Sequence, residues 1–275
     1  MVAQADFKAG AARGQGGVRW RTVALPVEHG GWGISLEPVV LGLLVAPSLA
    51  GVGLAVATMG AFLARHPFKI VAADRRRGRR FARTPAAERF TLVYGAAALA
   101  GLIFAVLTAP DYGFLLPVAF ALPLAAAQLY YDATGRSRAL LPELAGSTGM
   151  AGVAASVALA GGAPLWLALG LWAVLAARVV PTILYVRARL ARLHGKDGSP
   201  AVGLAAHAAA LAGVGWLAWA GVVPWAAPAV MAVLLARAVL GTTRGWPATA
   251  RGLGFSEIAF GALTVFAVAA GLWRM

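Results

Sequence analysis

Long apolar runs of about twenty residues alternate with short polar segments along nearly the whole chain. Nine such runs are legible, at about 27–46, 48–65, 90–108, 113–131, 142–161, 164–186, 200–220, 224–241 and 254–273. A helix rising about 1.5 Å per residue crosses a hydrocarbon core of about 30 Å in roughly twenty residues. The pattern therefore predicts an all-α fold, a polytopic membrane helical bundle with nine transmembrane helices. The first run is the most polar, carrying Glu28, His29 and Glu37. Residues 1–24 are polar, glycine-rich and basic, with no short apolar core followed by a small-residue cleavage site. They read as a disordered basic tail rather than a signal peptide, and residues 25–275 as a single transmembrane domain.

Composition supports this reading. Of 275 residues 60% are apolar and 12% charged, against about 25% charged in a soluble chain. The charge is strongly one-sided, +14 with histidine neutral, and it is segregated. Arg65, Lys69, Arg75, Arg76, Arg77, Arg79, Arg80, Arg83 and Arg89 follow the second run; Arg136 and Arg138 follow the fourth; Arg187, Arg189, Arg192 and Lys196 follow the sixth; Arg244 and Arg251 follow the eighth. The alternate connections, near residues 47, 110, 162 and 222, hold no Lys or Arg. Cytoplasmic loops are the ones enriched in Lys and Arg, which predicts an N-terminus inside, a C-terminus outside, and residence in a membrane that bounds the cytoplasm. The arginines between spans lack aromatic interleaving, so no nucleic-acid partner is expected; membrane lipid is. The chain has no cysteine and four histidines, which excludes disulfides and thiolate chemistry and argues against a metal centre.

Ionisable groups within hydrocarbon are costly and mark cavities or pathways. Glu37 falls near the middle of the first run. Arg178, His207, Arg237 and Glu257 lie one or two turns from the cytoplasmic ends of theirs, joined by Gln128, Glu143, Ser147 and Thr148. The outer halves hold little comparable, which predicts a cavity open to the cytoplasm and closed outside. His29, Gly33 and Glu37 share one helical stripe; Arg178, Thr182, Tyr185, Arg189 and Arg192 share another. Pro38 and Pro181 are expected to loosen these helices beside Glu37 and Arg178. Two readings of Arg178 stand side by side: an anion ligand, or a buried bridge to Glu37 or Glu257. His207 reads as a hydrogen-bonded packing histidine.

Two connections carry further candidates. In Arg65-His66-Pro67-Phe68-Lys69, Pro67 is expected to interrupt the helix, leaving cationic side chains to fold over the cavity. In Tyr130-Tyr131-Asp132-Ala133-Thr134-Gly135-Arg136-Ser137-Arg138, Asp132 and Gly135 read as a turn, with Pro142 and Glu143 opening the next helix. Arginine suits bidentate binding of phosphate or carboxylate. The candidate anion-binding set is Arg65, His66, Lys69, Arg136, Arg138, Arg178, Tyr185 and Arg189, with His29 and Glu37 as acid–base candidates at the cavity floor.

Glu28-His29-Gly30-Gly31-Trp32-Gly33, then Glu37-Pro38 and Gly42, then Arg65-His66-Pro67, resembles the YwiC-like family of bacterial integral membrane proteins. A wider and weaker resemblance is to the UbiA superfamily of intramembrane prenyltransferases, through Glu37-Pro38 and Gly42, Tyr130-Tyr131 before a basic turn, and Pro142-Glu143 with Gly146. That second resemblance implies nine helices around a cytoplasm-facing cavity. It also implies two Asp-rich motifs holding Mg2+ against a prenyl diphosphate. Here those positions offer single acids, Asp74 and Asp197, among Arg and Lys, whereas Mg2+ is usually held by one or two carboxylates together with substrate phosphates.

Three functions follow as alternatives. One is an intramembrane binding protein or degenerate transferase for an anionic amphiphile, an isoprenoid or lipid phosphate. The second is a transporter of a small anion, and the third a non-catalytic assembly factor docking through the 65–89 arginines. No cofactor is specified.

Overall fold

The structure is a computed structural model describing residues 19–26, 29–244 and 249–275, with backbone only at 29 and 30. It contains α1 (Trp20–Ala24), α2 (His29–Val45), α3 (Leu49–Arg76), α4 (Thr84–Thr108), α5 (Leu115–Ala133), α6 (Leu140–Ala151), α7 (Val153–Ala160), α8 (Leu165–Leu193), α9 (Ala201–Trp219), α10 (Ala226–Thr243) and α11 (Ala250–Leu272). Among the described residues there is no strand. Among the described residues eight helical stretches are long and apolar enough to cross a membrane: α3, α4, α5, α6 with α7, α8, α9, α10 and α11. Among the described residues the first run forms α2, 17 residues, which at 1.5 Å per residue is about 25 Å and short of a perpendicular crossing of about 30 Å.

The core is built around α7 and α8. Ala154, Ala155, Val157, Ala158, Leu171 and Val174 have no exposed surface, and α2, α3, α10 and α11 pack around them. By contrast α4 and α5 turn apolar side chains outward, Leu92, Leu107 and Phe120 among them. Lipid tails are as apolar as leucine, so this exposure carries no penalty in a bilayer. What holds α4 is close approach to α3. A Cβ on Gly101 would lie 2.6 Å from the Ala57 nitrogen and the Gly53 carbonyl oxygen, and one on Gly60 2.7 Å from the Ala98 nitrogen. Only glycine leaves the two backbones room to touch.

Several expectations from sequence are corrected. Residues 20–24, assigned to a disordered tail, form α1, which docks Val23 against Val71, Ala86 and Ala87; residues 1–18 lie outside the described set. Pro67 does not interrupt its helix: α3 runs on to Arg76 with Pro67 buried inside it. The missing N–H and ring clash cost about 3 kcal/mol. Tertiary ties on both sides of the proline offset that cost, namely Arg65 to Asp132, Val71 in the α1 cluster, and Arg83 and Thr84 to Asp74. Likewise α2 and α8 continue through Pro38 and Pro181. The fifth run divides at Gly152, where the Trp172 ring lies 2.9 Å from the position of a Cβ. The sixth run extends as α8 to Leu193, seven residues past its apolar stretch.

Gly101→Leu is expected to destabilise the detergent-solubilised protein by about 1–3 kcal/mol, the usual cost of overpacking. Gly95→Ala, where nothing lies within 4 Å of the added carbon, should leave the thermal unfolding midpoint unchanged or higher.

Candidate functional site

Two adjoining cavities occupy the end of the bundle that carries the basic connections. The larger, about 900 Å³, lies between α2, α3, α5, α6 and α8. Its charged lining is Arg65, Lys69, Arg138, Arg187 and Lys196 against Glu143, a formal +4 with His194 neutral; Ile34, Phe62, Leu129, Met150 and Ile183 form its apolar wall. The smaller, about 320 Å³, is a recess between α2, α8 and α11, lined by Glu37, Arg178, Thr182 and Glu257 among others. Glu143 and Arg187 line both.

Helix periodicity explains the wide cavity's cations. Because α3 is continuous, Ala61, Arg65 and Lys69 fall at i, i+4 and i+8 on one stripe. Because α8 outruns its apolar stretch, Ile183, Arg187 and Ala191 form a second stripe, extended by Leu190 and His194. Arg187 pairs with Glu143 at 2.7 Å and donates to the Arg138 carbonyl at 3.0 Å. Arg65 is matched by Asp132, its Nε at 2.5 Å and Nη2 at 3.1 Å from the carboxylate. With its oxygen turned to this guanidinium, the Gln128 amide accepts at 3.0 Å. Asp132 therefore ends α5 as a buried ion-pair partner, whereas the turn itself is made by Gly135, at φ +78°.

At the recess floor Arg178 Nη2 lies 3.1 Å from Glu37 Oε1 and donates to the Glu257 carbonyl at 2.8 Å. Both side chains of the first pair are at least nine-tenths buried. Glu257 also pairs with Arg237, whose guanidinium lies 4.5 Å from the Tyr185 ring and 5.0 Å from that of Phe260. Tyr185 meets His207 edge-on, and His207 Nδ1 donates to the Gly203 carbonyl at 2.8 Å. A Cβ on Gly261 would collide with Glu37 Oε1 and stand 2.8 Å from Arg178 Nη2; glycine there lets α11 close over the pair.

The structure thus gathers Arg65, Lys69 and Arg138 around the wide cavity and Glu37 and Arg178 in the recess. Tyr185 and Arg189 are buried and line neither cavity. Arg136 is exposed and lines neither. His66 Nε2 donates to the Thr22 carbonyl at 3.1 Å, tying α3 to α1. The side chain of His29 lies outside the described residues. The candidate set from sequence lacks Arg187, whose signal is the continuation of the α8 stripe past Val186, and His194 and Lys196, which line the cavity from the helix cap and the turn after it.

The Asp positions do not suit Mg2+. Asp74 is buried and occupied, accepting from Arg83 at 2.8 Å and from Thr84 at 2.8 Å. That bond pushes the Arg83 pKa further above its ordinary value and keeps the pair charged. Asp197 is an exposed single acid beside Lys196.

The sequence profile of the YwiC-like protein family matches residues 25–159, just under half of the chain, from α2 into α7. Over that segment the chain is YwiC-like. With eight helices of membrane-spanning length, it is a multi-pass membrane protein. No curated protein and no solved structure matches the chain. The YwiC-like segment supplies Arg65, Lys69, Arg138 and Glu143 to the wide cavity; Arg187, His194 and Lys196 come from beyond it.

Removing one partner of a buried ion pair leaves an uncompensated charge, at about 3–5 kcal/mol. Arg178→Ala should therefore lower the unfolding midpoint in detergent sharply. The double variant Glu37→Leu with Arg178→Met, which removes both charges at similar volume, should recover most of the loss. Equal losses in single and double variants would show that the pair contributes nothing of its own.

Proposed function

We propose that this YwiC-like protein resides in the inner membrane and binds an amphiphile with an anionic head, an isoprenoid or lipid phosphate, drawn from the cytoplasmic side. The observation carrying this reading is the two-part lining of the wide cavity: Arg138, Arg187, Lys196 and Lys69 at its polar end, an apolar wall along its body. A tail fits the second and a phosphate the first, where guanidinium groups offer bidentate donors. The positive-inside distribution supports placing that end in the cytoplasm, with the N-terminus inside and α2 as a ninth, tilted or partial span.

Transport is less well supported. Beyond Glu37 the bundle is sealed by Leu41, Val157, Val174 and Val268, none of them more than marginally exposed, and a carrier needs polar groups near the midplane reachable from both sides. For a transferase the support is the short sequence resemblance alone. Glu37 is held by Arg178, so an acid–base role would require that pair to separate, and no transfer step is assigned.

Farnesyl phosphate should bind the detergent-solubilised protein, read by native mass spectrometry, and farnesol should bind at least tenfold more weakly. Arg138→Ala and Lys196→Ala should each weaken farnesyl phosphate about tenfold, since hydrogen bonds to charged groups contribute about 1.5–3 kcal/mol. Equal binding of phosphate and alcohol, or indifference to both variants, would overturn the reading.

The absence of native cysteine gives a clean background for topology. Asp111→Cys should react with an impermeant maleimide in intact cells, whereas Ser199→Cys should react only after lysis. The opposite pattern would place the cavity mouth on the outer side.

A further inference from the structure

The recess carries an anomaly that the wide cavity does not explain. Thr182 lines it, is 6% exposed, and its hydroxyl has no hydrogen-bond partner among the described residues. A helical threonine in apolar surroundings ordinarily returns its hydroxyl to the carbonyl four residues back. Thr91, Thr108 and Thr264 do so, at 2.8, 2.7 and 2.8 Å, and Thr264 has no exposed surface at all. Thr182 does not. Two other polar atoms on residues lining the same recess are also without partners, Arg178 Nε and Glu257 Oε2. Each buried polar group left unmatched costs about 1–3 kcal/mol, so three around one void point to something that supplies the missing bonds.

The volume, about 320 Å³, exceeds the roughly 30 Å³ share of one water and reaches the lower end of small-molecule pockets. Its chemistry differs from that of the wide cavity. Glu37, Glu143 and Glu257 face Arg178 and Arg187, a formal charge of −1, so the recess does not favour an anion. Arg178 at its floor equally disfavours a cation. The unmatched set offers donors, the guanidinium Nε–H and the threonine hydroxyl, and an acceptor, the carboxylate oxygen of Glu257. A group that donates and accepts at once completes it. The remaining wall is apolar, with Ile34, Ile183 and Leu253.

From this geometry we infer that the recess is a second binding site, for the hydroxyl group of a neutral molecule with a compact apolar body. The hydroxyl donates to Glu257 Oε2 and accepts from Thr182 or Arg178 Nε. The Glu143–Arg187 pair, which borders both cavities, is one-third or more exposed on each side and forms the partition between the two sites. The assignment does not depend on what the wide cavity binds.

The test uses the full chain in detergent with 4-fluorobenzyl alcohol and its hydroxyl-free counterpart 4-fluorotoluene, read by fluorine NMR against empty micelles. Saturable binding of the alcohol is expected, weakened about tenfold in Thr182→Val and in Glu257→Gln, with 4-fluorotoluene no different between the variants and the parent. Thr182→Val is nearly isosteric, and Glu257→Gln keeps an oxygen for Arg237, so the two variants guard against a folding artefact in either one. Non-saturable partitioning, alcohol binding indifferent to both substitutions, or equal affinity for the two probes would overturn the inference and leave water as the occupant. Farnesyl phosphate reports on the wide cavity separately: its failure to bind would remove the reading of that cavity and leave the recess standing on the alcohol result.

Discussion

A charge cannot remain alone in hydrocarbon, and the architecture of this protein follows from how Arg178 satisfies that constraint. Its guanidinium reaches Glu37 on α2 and the backbone of Glu257 on α11, while Glu257 takes up Arg237 from α10. Four helices are therefore joined through polar contacts at one depth. The association cannot rest on the hydrophobic effect, because lipid solvates leucine as well as protein does. Close packing and polar matching must supply it, and glycines allow the close approaches. Gly261 clears the space for the Glu37–Arg178 pair, and Gly53, Gly60 and Gly101 bring α3 and α4 into contact.

The same constraint organises the cavities. Cations that face the wide cavity are partly answered from within: Asp132 holds Arg65, and Glu143 holds Arg187. The two pairs differ in how firmly they are held. Asp132 is fully buried and grips Arg65 through two guanidinium nitrogens, whereas Glu143 and Arg187 both retain exposed surface. Exposed ion pairs contribute little, about 0–1 kcal/mol, so Arg187 is readily exchanged to another anion and Arg65 is not. For the proposed phosphate-bearing ligand, this ranks Arg187, with Arg138 and Lys196, above Arg65.

The sequence carried the helical architecture almost completely because the membrane imposes it. Apolar length and positive-charge alternation are properties of single segments, and eight of the nine runs became helices of spanning length. What it carried poorly was where helices stop. Pro67 reads locally as a terminator, yet α3 passes through it, held by contacts from α1, α4 and α5 that no local pattern contains. The end of α8 is hidden for a related reason: apolar character stops near Val186, but the helix continues in polar surroundings to Leu193. Arg187 continues the stripe of Ile183 on that helical extension, whereas His194 and Lys196 reach the cavity from the turn that follows Leu193. The buried charges are legible individually, by depth, whereas their pairing depends on how separate helices meet, which no single segment carries.

Thr182 illustrates why pairing and binding need not exclude each other. Arg178 is both a structural bridge, through Nη2, and a donor to spare, through Nε. A guanidinium carries five N–H groups in a fixed fork, so two partners leave most of its capacity unused. The bridge fixes the orientation of the fork, and a fixed fork beside an unmatched hydroxyl and an unmatched carboxylate oxygen is preorganised for a ligand without further ordering cost. In hydrocarbon the groups that hold the helices together are thereby also the ones best placed to recognise a polar guest.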